Sequence, residues 1–135
     1  MKTPQALITT GKRKAAMARA TFTKGIGRVH VNRRPLEIYE PVFAREKIAE
    51  PLLMIGDRWK GVDIDVHLSG GGIAGQAAAA RTAIARGLIT WLKDEQLRET
   101  FKHYDRSLVV NDPRRKLPKR PGGRGARARR QKSYR

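Results

Sequence analysis

The last 25 residues of this 135-residue chain place the strongest limit on its fold. Residues 111–135 hold eleven of the 30 lysines and arginines and one acid, Asp112, which gives them a net charge of +10. They contain three prolines, three glycines and too few apolar side chains to bury a core. We therefore predict a globular domain over residues 1–110 and an extended tail over residues 111–135 that is disordered in the free protein.

The charge of the chain indicates a polyanionic partner, because its formal value is +18. In the tail, arginine outnumbers lysine by eight to three, and a guanidinium can bind a phosphate through two hydrogen bonds. A solubilising tail is the alternative, but acidic residues serve solubility better, and such tails do not interleave arginine with glycine and proline. We favour a tail that folds onto nucleic acid.

The composition argues against several other classes of protein. Without cysteine, the chain has no disulfide, no thiolate metal site and no cysteine nucleophile. Its three histidines are not spaced as metal ligands and Ser133 lacks a base, so we predict no catalytic residue, no metal site and no cofactor. Residues 73–92 are weakly polar but include two arginines, and the first residues lack a signal-peptide segment. We expect an intracellular protein without a membrane partner or a small-molecule substrate.

Alternation of apolar and polar side chains predicts four strands. The first turn, at residues 11–14, carries three cations, and the second, at residues 24–27, is predicted to close a hairpin. The strands cover residues 6–10, 16–23, 28–32 and 61–68.

Helical periodicity predicts four further elements. Short helices are predicted at residues 36–39 and 42–49, with Pro51 separating the second from residues 52–55. The longest helix follows residue 72, and a last helix begins near Asp94, which can cap it. This order predicts an α+β fold with helices on one face of a small, mainly antiparallel sheet. The apolar stripe of the longest helix comprises Ile73, Ala77, Ala80, Ile84, Leu88 and Trp91, and that of the last comprises Leu97, Phe101 and Tyr104.

Residues 70–75, between the last strand and the longest helix, match the G-x-G-x-x-G pattern of dinucleotide-binding folds. Those folds also need an acid at the end of a second parallel strand, and the acids about 20 residues on, Asp94 and Glu95, begin a helix instead. A Walker loop is excluded because no Gly-Lys-Ser/Thr follows. Two interpretations stay open, namely a tight strand-to-helix turn and backbone amides that bind an RNA phosphate.

Asp63, Asp65 and His67 share one face of the fourth predicted strand and resemble an acid–base set. Nothing in the sequence supplies a pocket, a nucleophile or an orienting partner for them. We therefore interpret the three side chains as the polar side of a half-exposed strand.

The densest basic cluster outside the tail is formed by Lys12, Arg13 and Lys14, on the first predicted turn. An ordinary exposed turn is the alternative to a second phosphate-contacting patch, and the tail favours the patch. Most aromatic side chains stand at core spacing, so the body does not resemble a base-stacking sheet, whereas Tyr134 is free to stack on a nucleotide.

Four stretches of the sequence are distinctive, namely TGKRKAA at 10–16, VNRRPL at 31–36, LSGGGIAGQ at 68–76 and AIARGL at 83–88. Together they resemble the universal small-subunit ribosomal protein nine family. The run over residues 70–88 matches the family signature throughout, and the ending RRQKSYR at residues 129–135 resembles the archaeal and eukaryotic branch.

This resemblance implies the fold of the second domain of ribosomal protein five, with a left-handed strand–helix–strand crossover. It implies a cytoplasmic protein of the small-subunit head, bound to ribosomal RNA and to neighbouring head proteins, whose tail tip reaches the peptidyl-site transfer RNA near the anticodon stem-loop. The transfer-RNA residues are then Lys132, Ser133, Tyr134 and Arg135. With the cluster at residues 12–14, the ribosomal-RNA residues are Lys12, Arg13, Lys14, Arg114, Arg115, Lys116, Lys119, Arg120, Arg124, Arg127, Arg129 and Arg130.

Two other classes of function stay open. A nucleic-acid compaction or chaperone protein would share the charge but would need no defined sequence at the tip of the tail. Co-purified RNA separates the two, because one stoichiometric species supports the ribosome and mixed fragments support the chaperone. A phosphate-loop enzyme is the third class, and a nucleotide-binding titration tests it.

Overall fold

The computed structural model describes residues 5–129 and 132–134. Five strands form one sheet, and three α-helices and three single 3-10 turns complete the described part of the chain. The strands are β1 (Leu7–Arg13), β2 (Ala16–Lys24), β3 (Val29–Val31), β4 (Arg34–Pro35) and β5 (Val62–Ser69). The α-helices are α1 (Val42–Ile55), α2 (Ile73–Leu92) and α3 (Glu95–Tyr104), and the 3-10 turns are Leu36–Ile38, Gly56–Trp59 and Arg106–Leu108.

The sheet has the strand order β1-β2-β5-β3-β4 and is antiparallel except for the pair β3–β5. Every second side chain of β2 and β5 is buried on the face that packs against the helices, as the alternating sequence predicts. The predicted α+β fold class is therefore confirmed. The buried residues of the two strands are Ala16, Ala18, Ala20, Phe22, Val62, Ile64, Val66 and Leu68.

The hairpin predicted at residues 24–27 is wrong, because β3 pairs in parallel with β5 and not with β2. Between β2 and β3 the chain crosses the end of β5, and the side chain of Asp63 on β5 holds this loop in place. Its carboxylate accepts hydrogen bonds from the backbone amides of Ile26, Gly27 and Arg28 at 3.0, 3.0 and 2.9 Å. These hydrogen bonds, first of all that from Arg28, hold the pKa of Asp63 below its ordinary value. The parallel pair is joined through α1, and the handedness of this crossover stays a prediction.

The basic turn predicted at residues 11–14 is shorter than expected, because β1 continues to Arg13. Gly11 lies inside the strand where it presses on α2, and a Cβ at this position would lie 2.1 Å from the carbonyl oxygen of Ala79. The glycine thus permits close packing of strand on helix, and does not break the strand.

Helix α1 is continuous across Pro51, so the predicted division into two helices is wrong. A proline inside a helix removes one backbone hydrogen bond. Pro51 is buried together with Leu52 and Ile55, and we attribute the continuity of the helix to this burial, which offsets the lost bond.

Helix α2 is buried on more sides than its predicted single stripe, because it packs against the sheet, α1 and the turn Arg106–Leu108. Ile73, a predicted stripe residue, is exposed at its start. Arg81 is buried, and its guanidinium pairs with Glu50 of α1 at 3.0 Å and with Asp105 after α3. One arginine thereby joins three helices.

Helix α3 begins as predicted, with the side chain of Asp94 accepting the amides of Gln96 and Leu97 at 3.0 and 3.2 Å. Phe101 is buried, but Tyr104 of the predicted apolar stripe is mostly exposed. The nearby Glu50 carboxylate raises the pKa of Tyr104 above its ordinary value, because its negative charge favours the protonated hydroxyl.

Candidate nucleic-acid interface

The chain leaves α3 and runs along the edge of the sheet beside β1. Arg86 of α2 connects this segment to β1. Its Nε donates a hydrogen bond to the carbonyl of Val109 at 2.8 Å, and its Nη1 donates one to the carbonyl of Thr10 in β1 at 3.1 Å. The amide of Lys12 then donates to the side-chain oxygen of Asn111 at 3.3 Å. These contacts set where the tail departs from the body.

The only acid of the tail, Asp112, clamps its root. Arg13 Nη1 lies 2.7 Å from Asp112 Oδ2, and the backbones of the two residues form a parallel bridge. Arg114 holds the same carboxylate through its amide at 3.0 Å and through Nε and Nη2 at 2.8 and 2.7 Å. The Arg114 side chain first, and then its amide, lower the pKa of Asp112 from 3.8 to about 2. We call this arrangement of Arg13, Asp112 and Arg114 the tail clamp.

Acid is expected to open the tail clamp. The pKa of Asp112 is lower in the folded protein than in the unfolded chain, so its contribution to stability is present above pH 4 and is lost as the pH falls towards 2. In NMR spectra, the amide signal of Arg114 should move to its random-coil position over this range. An Asp112→Ala variant, which has no side-chain acceptor for this amide, should show that position already at pH 7.

The core provides the reference for this titration. The amide of Leu88, buried in α2, should keep its native signal while Arg114 moves. A single transition shared by both residues would mean that acid unfolds the domain as a whole, and the clamp would then have no separate titration.

The structure brings the predicted basic cluster and the start of the tail to one end of the molecule. Arg115 Nη1 donates to the carbonyl of Lys14 at 3.0 Å, across the turn that joins β1 and β2. Lys12 and Lys14 are exposed. Arg13 and Arg114 both pair with Asp112, but the side chain of Arg13 is 34% exposed and that of Arg114 is 74% exposed. This end presents Lys12, Lys14, Arg114 and Arg115 to solvent, and we call these four residues the basic end.

The glycine-rich loop before α2 packs against the same turn. Gly70 has a φ of 70°, and a Cβ there would lie 2.5 Å from the carbonyl oxygen of Ala15. The tight strand-to-helix turn is therefore confirmed. Helix α2 leads into α3 and not into a second parallel strand, so the described chain lacks the repeated unit that dinucleotide binding needs. Binding of an RNA phosphate by the exposed loop stays a prediction.

Beyond the clamp, the tail carries no helix or strand in its described part. Between residues 116 and 129, no described side chain forms a hydrogen bond or an ion pair with the body. Lys132, Ser133 and Tyr134 are exposed, while Arg130 and Arg135 of the predicted sites lie outside the described residues. The predicted cations of this stretch are all exposed, namely Lys116, Lys119, Arg120, Arg124, Arg127 and Arg129.

The family profile described as ribosomal protein S9/S16 matches residues 11–135, which include both the basic end and the whole tail. The chain belongs to the ribosomal protein S9/S16 family. This membership confirms the resemblance that the glycine-rich loop, helix α2 and the tail ending indicate.

Curated members of the S9/S16 family are similar to this chain over nearly its full length. A protein named "Small ribosomal subunit protein uS9" from Thermoplasma volcanium is 55% identical over 129 residues, covering 96% of this chain and 98% of the relative. Proteins of the same name from Thermoplasma acidophilum and Halobacterium salinarum are 56% and 55% identical, and cover 96% and 94% of this chain and 100% and 97% of their own. These relatives come from archaea, in agreement with the branch that the tail ending indicates.

The polar side chains of β5 in this S9/S16 protein contact neighbouring residues of the fold. The Asp63 carboxylate accepts hydrogen bonds from the loop before β3, and the Asp65 carboxylate lies 3.5 Å from Nδ1 of His30. His67 lies on the open face of the sheet, so the three residues singled out on β5 act as the polar side of a strand, as interpreted. Within residues 5–129 and 132–134, no cluster of histidine and acidic side chains suits a metal ion, and no helix is long and apolar enough to cross a membrane.

Three residues that position the S9/S16 tail were not singled out as site residues. Asp112 is recognisable in the sequence as the single acid among eleven cations, and a lone opposite charge in such a run is expected to form an ion pair. Asn111 and Arg86 carry no such signal, because their partners Lys12 and Thr10 are 99 and 76 positions away along the chain.

Proposed function

We propose that this protein is a structural constituent of the head of the small ribosomal subunit in the cytoplasm and is not an enzyme. One observation carries the proposal: the tail clamp fixes the root of a segment whose described cations from residue 116 to residue 129 form no hydrogen bond or ion pair with their own body. A tail that is anchored at one end, and whose other cations have no partner in the described part of the protein, is suited to bind a polyanion that surrounds it. The names of the archaeal relatives support the same particle.

The body anchors on small-subunit ribosomal RNA through the basic end, and the tail threads between RNA strands. Neutralising phosphates in this way removes a repulsion that opposes folding of the head. Arginine suits this work because one guanidinium can engage a phosphate through two hydrogen bonds. Binding to ribosomal RNA is assigned to the basic end, Arg13 and the cations of residues 116–130.

The tip of the tail contacts the peptidyl-site transfer RNA near its anticodon stem-loop. Lys132, Ser133, Tyr134 and Arg135 supply charge, hydroxyl groups and one aromatic ring in four successive residues. A charge-assisted hydrogen bond to a phosphate contributes about 1.5–3 kcal/mol when it is shielded from water. A few such bonds favour retention of the transfer RNA without any chemical step.

Deleting residues 132–135 should weaken peptidyl-site transfer-RNA binding while leaving assembly of the subunit intact. Loss of two cations and a stacking ring is expected to lower the affinity by roughly ten- to a hundredfold. Filter binding of transfer RNA to purified small subunits measures the affinity, and sucrose gradients measure assembly.

The matched control replaces Lys132 and Arg135 with glutamine in the full-length chain, which removes the charge but keeps the length and Tyr134. This variant should recover a part of the affinity if the ring stacks on a nucleotide. Unchanged affinity in the deletion variant would show that the tip has no role at the transfer RNA.

A further inference from the structure

A cavity of about 240 Å³ lies at the root of the tail, where four segments of the chain meet. Its walls come from the end of β1, from α1, from α2 and from the segment that leads from α3 to the tail clamp. The cavity is far larger than the roughly 15 Å³ that one water molecule needs, so it can hold a polyatomic ligand. Its charged lining residues are Lys12, Arg13, Lys47, Arg81, Asp105 and Asp112.

Positive charge exceeds negative charge around this cavity. Four cations line it against two carboxylates, which leaves a net charge of +2. The ion-pair partners that lie outside the lining do not change this balance, because Glu50 pairs with Arg81 while Arg114 pairs with Asp112. The surplus therefore remains when the partners of the lining residues are counted.

Both carboxylates of the cavity are already engaged. Asp112 is held by Arg13 and Arg114 in the tail clamp, and Asp105 pairs with Arg81. A metal ion would find no free carboxylate here and would face four cations. The charge of the cavity suits an anion instead.

The surplus charge belongs to two lysines. Lys47 is half-buried on α1 and Lys12 is exposed on β1, and neither side chain forms a hydrogen bond or an ion pair within residues 5–129 and 132–134. The neighbouring Arg81 side chain is 9% exposed, and its buried Nε has no hydrogen-bond partner among the described residues. A half-buried cation without a counter-ion beside an incompletely satisfied buried one is unfavourable, and an anion in the cavity lowers the electrostatic part of that cost.

We propose that this cavity binds a phosphate group. Lys47 binds it from α1 and Lys12 from β1, while Arg81 adds positive charge from the buried side. A phosphate group presents oxygens in several directions, which suits donors that come from different elements of the fold. The same chemistry is offered by a phosphate of the RNA backbone and by free inorganic phosphate. Only the RNA source rests on the proposed function, because the site itself belongs to the free chain.

A bound phosphate would also fasten the root of the tail. Val110 and Asp112 line the cavity from the side of the tail, and Lys47 lines it from α1. A phosphate held by Lys47 and Lys12 links α1 to the strand that carries the tail clamp. The root of the tail is then held at two points, and occupancy of the cavity regulates how firmly the tail is directed away from the body.

An NMR titration of the full-length chain tests the site. The chain is kept at pH 7 in chloride buffer without phosphate, and sodium phosphate is added at constant ionic strength. We expect the amide signals of Thr82, Ser107 and Val110, which line the cavity, to move and to reach saturation. Amides of the tail beyond residue 116 should move without saturation, because their contacts with phosphate are non-specific. Unmoved cavity amides, or equal movement with sodium acetate, would overturn the inference.

Three variants locate the site. Lys47→Gln removes one surplus charge and should raise the phosphate concentration at half-saturation by roughly ten- to a hundredfold, whereas Lys47→Arg keeps the charge and should still saturate. The matched control, Lys24→Gln, removes an exposed lysine at the far end of β2 and should leave half-saturation unchanged. Equal effects of the two glutamine variants would refute the role of Lys47. If Lys47→Gln does not fold, Lys12→Gln measures the same loss at an exposed position.

A second titration, with single-stranded oligouridylate in the same chloride buffer, distinguishes the two sources of the phosphate. Movement of the cavity amides that matches the effect of inorganic phosphate, and that Lys47→Gln abolishes, assigns the site to an RNA phosphate. Movement confined to the tail assigns the cavity to free phosphate. A failure of the cavity to bind either one leaves the proposed function intact. The proposed function fails separately if the tagged parent chain does not cosediment with small subunits.

Discussion

Removal of residues 114–135 is expected to prevent stable binding to ribosomal RNA and to stop assembly of the head of the small subunit. The deleted segment carries eleven lysines and arginines and no acid. Each cation bound to a phosphate of single-stranded RNA contributes about 0.7 to the slope of log affinity against log salt. If all of them bind phosphates, the slope should fall by up to about 8, and the affinity at physiological salt by roughly a thousandfold or more.

The deletion leaves the body intact, which makes the result interpretable. Asp112 keeps its pair with Arg13, and Arg86 keeps its bonds to Val109 and Thr10, so the edge of the sheet stays covered. The thermal unfolding of the variant should therefore remain close to that of the full chain. A second variant with all eight tail arginines changed to lysine retains the charge, and it should bind more weakly than the full chain but more strongly than the deletion. Normal subunit profiles on sucrose gradients and an unchanged salt slope would refute the threading role.

Replacing Gly11 with alanine is expected to destabilise the globular domain by about 3 kcal/mol. The new Cβ would lie 2.1 Å from the carbonyl oxygen of Ala79 and 2.7 Å from the amide nitrogen of Ala83. Both atoms belong to the backbone of α2, so no change of side-chain rotamer relieves the overlap. Strand β1 must move outwards, which also strains the bond from the Thr9 hydroxyl to the carbonyl of Ala83 at 2.8 Å.

Urea unfolding measures this loss, and Gly61→Ala is the matched control. A Cβ at Gly61 meets no atom within 4 Å, so the same change before β5 should cost less than about 0.5 kcal/mol. Because Lys12 and Arg13 end the displaced strand, Gly11→Ala should also loosen the tail clamp and weaken RNA binding. Equal urea midpoints for the two variants would show that β1 is not held against α2 as described.

Local patterns were sufficient for several features of the structure. Alternation predicted β2 and β5 with the correct buried faces. The charge and composition of residues 111–135 predict a nucleic-acid-binding tail, whose described cations are exposed. The cap of α3 by Asp94 was also predicted, because a capping side chain and its amides lie within three residues of each other. The contact between the basic cluster at residues 12–14 and the start of the tail could not be predicted from local patterns. It forms because the fold places the turn after β1 next to Asp112, which is about 100 residues away along the chain.

The sequence by itself determined which side chains of the strands and helices are exposed and which are buried, because this pattern repeats every two to four residues. Its composition also determined that residues 111–135 cannot form a core. Only the tertiary structure decided which strands are partners and which charges are paired. The insertion of β5 between β2 and β3, the burial of Arg81 and the clamp between Arg13 and Asp112 all join segments that are far apart in the chain. Such contacts depend on the free energy of the whole packed arrangement, which no local period of the sequence encodes.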